Sequence, residues 1–195
     1  MIKLKKKRLL ILLILILVAI ISIVSYLKEK KEEKIEESVV TVTEIGQKLK
    51  GRDSGLVYKA IVKNKESILS ENPEKNIYLI KILGKKKNKD EYKIYANVHS
   101  VEYKKTSDGK YVEDSGYSIP MKIVYKLSGG KYVDPKLYIP EDGEEYPISL
   151  KKITKDYPFM YEKMLNNRGN FGSDNEINEL AKEVYGNNIV EIIEK

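Results

Sequence analysis

The sequence predicts an α+β chain in which an N-terminal transmembrane helix precedes a curved antiparallel sheet packed by helices on one side. Three observations carry that prediction. Leu9 to Leu27 (LLILLILILVAIISIVSYL) runs nineteen residues without a charge, a proline, a glycine or an amide. Tyr117, Ile119, Met121, Ile123, Tyr125 and Leu127 then occupy every second position, the period of a strand with one buried face. Helical spacing appears on both sides of the strand region, from Leu56 to Ile68 and from Ile177 to Tyr185.

The apolar run would reach roughly 28 Å as a helix, close to the ~30 Å hydrocarbon thickness of a bilayer. A cleaved signal peptide would carry a shorter apolar region of ~7–15 residues and a small-x-small exit. Ile23 to Leu27 offers no such exit, so the run is expected to remain as a single-pass anchor; cleavage near Tyr26 would instead release a secreted module. Lys3, Lys5, Lys6, Lys7 and Arg8 precede it, whereas Lys28 to Glu37 (KEKKEEKIEE) mixes four lysines with five glutamates. The positive-inside rule then puts residues 1–8 in the cytoplasm, the anchor at 9–27, a charged stalk at 28–37 and an extracellular domain at 38–195. The stalk is expected to be a short helical extension, since Ile35 alone cannot supply the apolar heptads of a coiled coil.

The net charge of +7 belongs almost wholly to this segment. From Glu29 onward thirty basic residues face twenty-nine acidic ones, which disfavours a nucleic-acid partner. The chain has no cysteine, hence no disulfide, thiol nucleophile or thiolate metal site.

Ser38 to Lys50 carries no decisive pattern. Ser54 is expected to cap a helix through Leu69, ended by Asn72-Pro73. Ile77 to Leu83 and Tyr92 to Tyr103 read as strands joined by an exposed lysine-rich loop, Gly84 to Asp90. The turn Thr106 to Lys110 leads to the strand ending at Leu127. Ser128-Gly129-Gly130-Lys131 makes a tight hairpin, and Tyr132 to Ile139 the next strand, closed by Pro140-Glu141-Asp142-Gly143. A helical turn at Ile148 to Lys152 follows, then a helix from Pro158 to Leu165 and a loop from Asn166 to Gly172. The final helix, capped by Ser173 or Asp174, runs to Gly186 and leaves a Val190-Ile192-Ile193 tail. A cystatin-like or NTF2-like roll cupping a helix is the expected topology.

Candidate chemistry is sparse. His99, the only histidine, shares the more polar face of its strand with Tyr95 and Asn97; together with Tyr117 of the following strand they form the candidate ligand or partner face. One histidine cannot build a histidine-rich zinc site, so no metal or other cofactor is expected. Ser-x-x-Lys, the acyl-enzyme pattern, occurs at Ser25, Ser107, Ser128 and Ser149, of which only Ser149 precedes a helical turn. Glu141, Asp142, Glu144 and Glu145 cluster about one turn, at best a weak cation site.

From Ile80 to Glu162 the chain resembles an extracytoplasmic region of Firmicutes. That region is appended to penicillin-sensor-type membrane zinc metallopeptidases and also occurs in smaller membrane proteins or lipoproteins. Ile82-Leu83-Gly84, Lys93-Ile94-Tyr95, Ser115-Gly116 with Ile119-Pro120, Gly130-Lys131-Tyr132 and Pro140 to Tyr146 carry the resemblance, with Pro158 matching its closing proline. It implies an uncharacterised sensing or binding module; the peptidase part, with its zinc motif, is missing. The expected function is therefore a non-catalytic, membrane-anchored sensory or binding domain for an envelope protein or a small-molecule ligand. The alternatives are a small envelope hydrolase or isomerase working in a pocket of the roll around His99, and a structural subunit of an envelope complex.

Overall fold

The computed structural model describes residues 2–68, 73–166, 174–186 and 189, with side chains from Ile14 onward, Ile35, Pro73 and Asp174 excepted. The chain divides into two compact units, Met1–Val39 and Val40–Lys195.

The first unit is one helix, α1 (Ile2–Ser38), about 55 Å long at the α-helical rise. The stalk is its continuation. Every large apolar side chain from Ile14 to Leu27 is exposed, so this stretch of α1 is apolar all round rather than amphipathic. Ser22 hides its hydroxyl by donating to the Val18 carbonyl at 2.9 Å. The side chains of residues 9–13, the first five of the apolar run, lie outside the described set. Within that set no helix is long and apolar enough to cross a membrane.

The second unit opens with a short hairpin, β1 (Val40–Val42) and β2 (Lys48–Lys50), in the stretch whose sequence pattern was indecisive. Helix α2 (Arg52–Lys63) follows, starting two residues before Ser54 at a Gly51 with φ +85°. It stops early because Asn64 turns its side-chain amide back onto the Ala60 carbonyl at 2.7 Å, as does its backbone N–H at 3.0 Å. Leu69 and Asn72 lie outside the described residues.

Four antiparallel strands form a meander: β3 (Asn76–Lys87), β4 (Glu91–Lys105), β5 (Tyr111–Ser128) and β6 (Lys131–Tyr138). β3 and β4 extend into the lysine-rich stretch, leaving a three-residue turn. There the Asn88 carboxamide oxygen accepts from the Asp90 and Glu91 amides at 2.9 and 2.6 Å. The β5–β6 hairpin places Gly129 and Gly130 at φ +55° and +75°, as a tight primed turn needs. Gln47 protects the edge of β3: its side chain accepts from the Tyr78 amide at 2.9 Å and donates to the Tyr78 carbonyl at 2.6 Å, standing in for a neighbouring strand.

The sheet is covered on both faces, not one. Against α2 lie Tyr92, Ile94, Ala96 and Val98 of β4 with Tyr117, Met121, Ile123 and Tyr125 of β5. The opposite face carries α3 (Tyr146–Thr154) and α4 (Met160–Asn166) over Leu83 and Tyr95. Further along, α5 (Asp174–Tyr185) sits over Ile77, Val101 and Tyr103. The second helical layer forms because tyrosine and valine, alternating with Asn97 and His99 on the nominally polar face, supply enough apolar surface to bury. α5 uses Ile177, Leu180, Ala181, Val184 and Tyr185, the face its spacing predicts, and Gly186 at φ +66° follows it. Pro158 stands in the α3–α4 connector rather than opening α4. Ser173, residues 167–172 and the 190–193 tail lie outside the described residues.

Candidate functional site

β3 contains a bulge: Ile82 pairs with Ala96 and Gly84 with Tyr95, so Leu83 is an extra residue. Its effect is a change of face. Leu83 and Gly84 both meet the α3–α4 layer; beyond them Lys85 returns to the α2 side and Lys86 to the α3–α4 side.

On the α3–α4 side, Asp156 of the connector is the focus. Its carboxylate takes Lys93 of β4 at 2.5 Å, Lys122 of β5 at 3.0 Å and the Tyr95 hydroxyl at 2.7 Å. The pairing Tyr95 with Lys122 in register brings two of these together on neighbouring strands. Lys86 donates to the Asp156 backbone carbonyl at 2.9 Å and Lys122 to that of Ile153 at 3.1 Å. Burial opposes the Asp156 charge, but the hydrogen bonds from Lys93, Tyr95 and Lys122 outweigh it and hold the carboxyl well below the usual carboxylate range. Burial first, then the neighbouring Asp156 anion, pushes the Tyr95 hydroxyl far above its ordinary value. The Asp156 hydrogen bond, opposed by desolvation, raises Lys93 as well. A phenol held in its neutral form at Tyr95 and an ammonium held in its charged form at Lys93 make no general base or nucleophile at neutral pH. The cluster is a clasp that holds the connector on the sheet.

On the α2 side a second carboxylate, Asp53, accepts from the Tyr92 hydroxyl at 2.9 Å, with Arg52 and Lys85 each at 3.5 Å. Arg52 also lies over the rings of Tyr92 and Tyr132, 5.4 and 5.3 Å from their centroids.

The four residues expected to form one ligand or partner face are divided by the sheet. Tyr95, Asn97 and His99 share a face, but Tyr117 packs on the other, against the α2 cluster. Alternation explains the split: Tyr117 pairs with Ser100, and paired residues point the same way, opposite to His99. Tyr95 and Asn97 are fully buried, so neither offers a surface; Tyr95 stacks edge to face on Tyr157 at 5.4 Å. His99 is half-buried, paired with Leu79 and Ser118.

Ser149 lies within α3 with its hydroxyl committed. It donates to the Glu145 carbonyl at 2.8 Å, with the Tyr146 carbonyl at 3.0 Å, and accepts from the Glu141 amide at 2.9 Å. Asp142 accepts from the Gly143 amide at 2.8 Å, a turn role for one carboxylate of the acidic cluster. Among the described residues no group of three or more histidine, cysteine or acidic side chains could hold a metal ion.

A groove of about 460 Å³ lies along the outside of α3, lined by Pro147, Ile148, Lys151, Lys152, Lys155 and Tyr161. The first five fall at i, i+1, i+4, i+5 and i+8, one stripe of a helix. That spacing is present in the sequence, but it forms a stripe only because α3 starts at Tyr146 rather than at Ile148. Asp156 and its lysines had no local motif to announce them.

Comparisons with protein-family models, with curated proteins and with solved structures find no match to the chain.

Proposed function

We propose that this chain is a single-pass membrane protein, N-terminus cytoplasmic, whose second unit is an extracytoplasmic, non-catalytic sensory or binding domain. The observation that carries the reading is the charge and hydropathy pattern of the first forty residues. A nineteen-residue apolar run follows five cations and leads to a stretch in which acids outnumber bases. The described part of that run is an unbroken helix whose large apolar side chains are exposed on every side, with the Ser22 hydroxyl satisfied internally. The non-catalytic half of the reading is supported by the two polar clusters, whose groups are consumed in holding helices to the sheet.

In topology, a helix followed by a four-stranded meander wrapped about it supports a cystatin-like roll, here with a second helical layer behind. The likeness of residues 80–162 to the region appended to penicillin-sensor-type metallopeptidases fits a sensing module on the same side of the membrane.

The cysteine-free chain makes the test direct. Lys5→Cys and Lys136→Cys are each expressed in the full chain and treated in intact cells with a membrane-impermeant maleimide. Labelling of Lys136→Cys alone is expected. Labelling of Lys5→Cys, or protection of Lys136→Cys until the cells are broken, overturns the reading.

A further inference from the structure

We propose that the outer face of α3, with Tyr161 and Phe159, docks on the anionic leaflet of the membrane that carries the chain; the inference rests on the anchored reading above. The surface has an apolar floor and a cationic rim. Pro147, Ile148 and the Tyr161 ring line the groove with the stems of Lys151, Lys152 and Lys155. Ile148 is 51% exposed. Among the described residues no carboxylate lies within ion-pairing reach of those three ammoniums. Lys85, Lys93 and Lys122, by contrast, each have an aspartate. Glu144 and Glu145 precede α3, at the end away from Lys155.

Phe159 is the second observation. It stands in the α3–α4 connector, 88% exposed and with φ +62°, a conformation that bulky side chains rarely adopt. Its neighbours impose it. Tyr157 and Met160 pack over Gly84, where no side chain would fit, and Asp156 is clasped by Lys93 and Lys122. The connector is thus held so that the largest apolar ring of the segment points into solvent, a cost that persists only when the surroundings over-determine it.

Lysine stems along an apolar groove with an exposed aromatic suit a headgroup boundary, where stems and ring enter the acyl edge and ammoniums meet phosphates. Lysine serves here as a point charge rather than the planar fork that specific carboxylate recognition favours. The groove offers no strand edge for a peptide to extend. Tethering by α1 raises the local lipid concentration, so three charges suffice where a free domain would need more.

The chain has no tryptophan, so F159W installs a single indole. The full-length F159W protein is reconstituted in vesicles of phosphatidylcholine alone or with phosphatidylglycerol, and its membrane integration is checked by flotation after alkaline extraction. With phosphatidylglycerol the indole emission is expected to shift to the blue and to be quenched by lipids brominated near the headgroup. Each of Lys151→Gln, Lys152→Gln and Lys155→Gln should lower the docked-to-undocked ratio about fivefold, and added salt should reverse docking. I148W, in the groove itself, reports on the docking should F159W disturb the connector. Water-exposed emission from both variants in a chain that floats overturns the docking and leaves the anchor intact. A chain that does not float overturns the anchored reading and this one with it.

Discussion

Replacing Asp156 by asparagine isolates what the clasp contributes. The substitution keeps an acceptor for the Tyr95 hydroxyl but removes the charge that Lys93 and Lys122 share. Those two side chains are only 18% and 13% exposed, and Asp156 is 25% exposed, so the pairs sit between the surface and buried limits. Exposed pairs contribute at most ~1 kcal/mol, whereas breaking a buried pair costs about 3–5 kcal/mol because the orphaned charge stays desolvated. An intermediate loss of about 2 kcal/mol follows. That corresponds to a fall in Tm of roughly 4–8 °C for a domain of this size. The pH dependence provides an independent check. A carboxyl depressed in the folded state stabilises above its unfolded pKa of ~3.9 and loses that contribution as pH falls toward the folded value. The gap between wild type and Asp156→Asn should therefore be full at neutral pH and shrink below about pH 4. The assay is thermal unfolding of the full chain in detergent, followed by near-UV circular dichroism of the tyrosines. All but Tyr26 belong to the second unit. A Tm unchanged at pH 7, or a gap that stays constant down to pH 2, refutes the reasoning.

Two further substitutions probe the layers on either side of the sheet. At Gly84 an added Cβ would lie 2.9 Å from the Tyr157 ring and closer still to the Met160 methyl, so Gly84→Val should lift α4 from the sheet and cost about 1–3 kcal/mol. Hydrogen exchange should show faster amides in α4 and unchanged ones in α2. Across the sheet, Tyr92→Phe removes the hydroxyl that Asp53 accepts at 2.9 Å, and a bond to a charged acceptor contributes about 1.5–3 kcal/mol. Tyr132→Phe, which keeps its ring beneath Arg52, is the control and should change stability by less than about 0.5 kcal/mol in the same unfolding assay.

The strands were legible because their signals are local. Alternation from Tyr117 to Leu127 and paired glycines at Gly129 and Gly130 report on nearest neighbours, and the β5–β6 hairpin follows from them. The second helical layer was not legible, because the face bearing Lys93, Tyr95, Asn97 and His99 reads as polar residue by residue. Lys93 loses that polarity only when Asp156, sixty-three positions later, arrives to neutralise it. The same distance hid the candidate site. Tyr95 was singled out from its strand, and its partner lay in a connector with no pattern of its own. Tyr117 falls on the other face because the β4–β5 register, with its irregularity at Glu102 and Tyr103, sets it opposite Ser100 rather than His99, and no local pattern fixes that register.

The lysine-rich tip is where these threads meet. As a sequence, Gly84 to Asp90 looks like a solvated loop, and Lys87 is indeed exposed. Yet the one-residue bulge at Leu83 gives its first two lysines opposite assignments, Lys85 to Asp53 beneath α2 and Lys86 to the Asp156 carbonyl beneath α3 and α4. Were Leu83 paired in straight alternation instead of bulged, the residues after it would exchange faces, with Lys86 pointing toward α2 and Lys85 toward α3 and α4. Each helical layer is thus fastened to the sheet by a carboxylate-bearing segment, and β3 reaches both from one short run of charge. The bulge, rather than the lysines themselves, decides that a stretch with the composition of a loop serves as a link between the two layers.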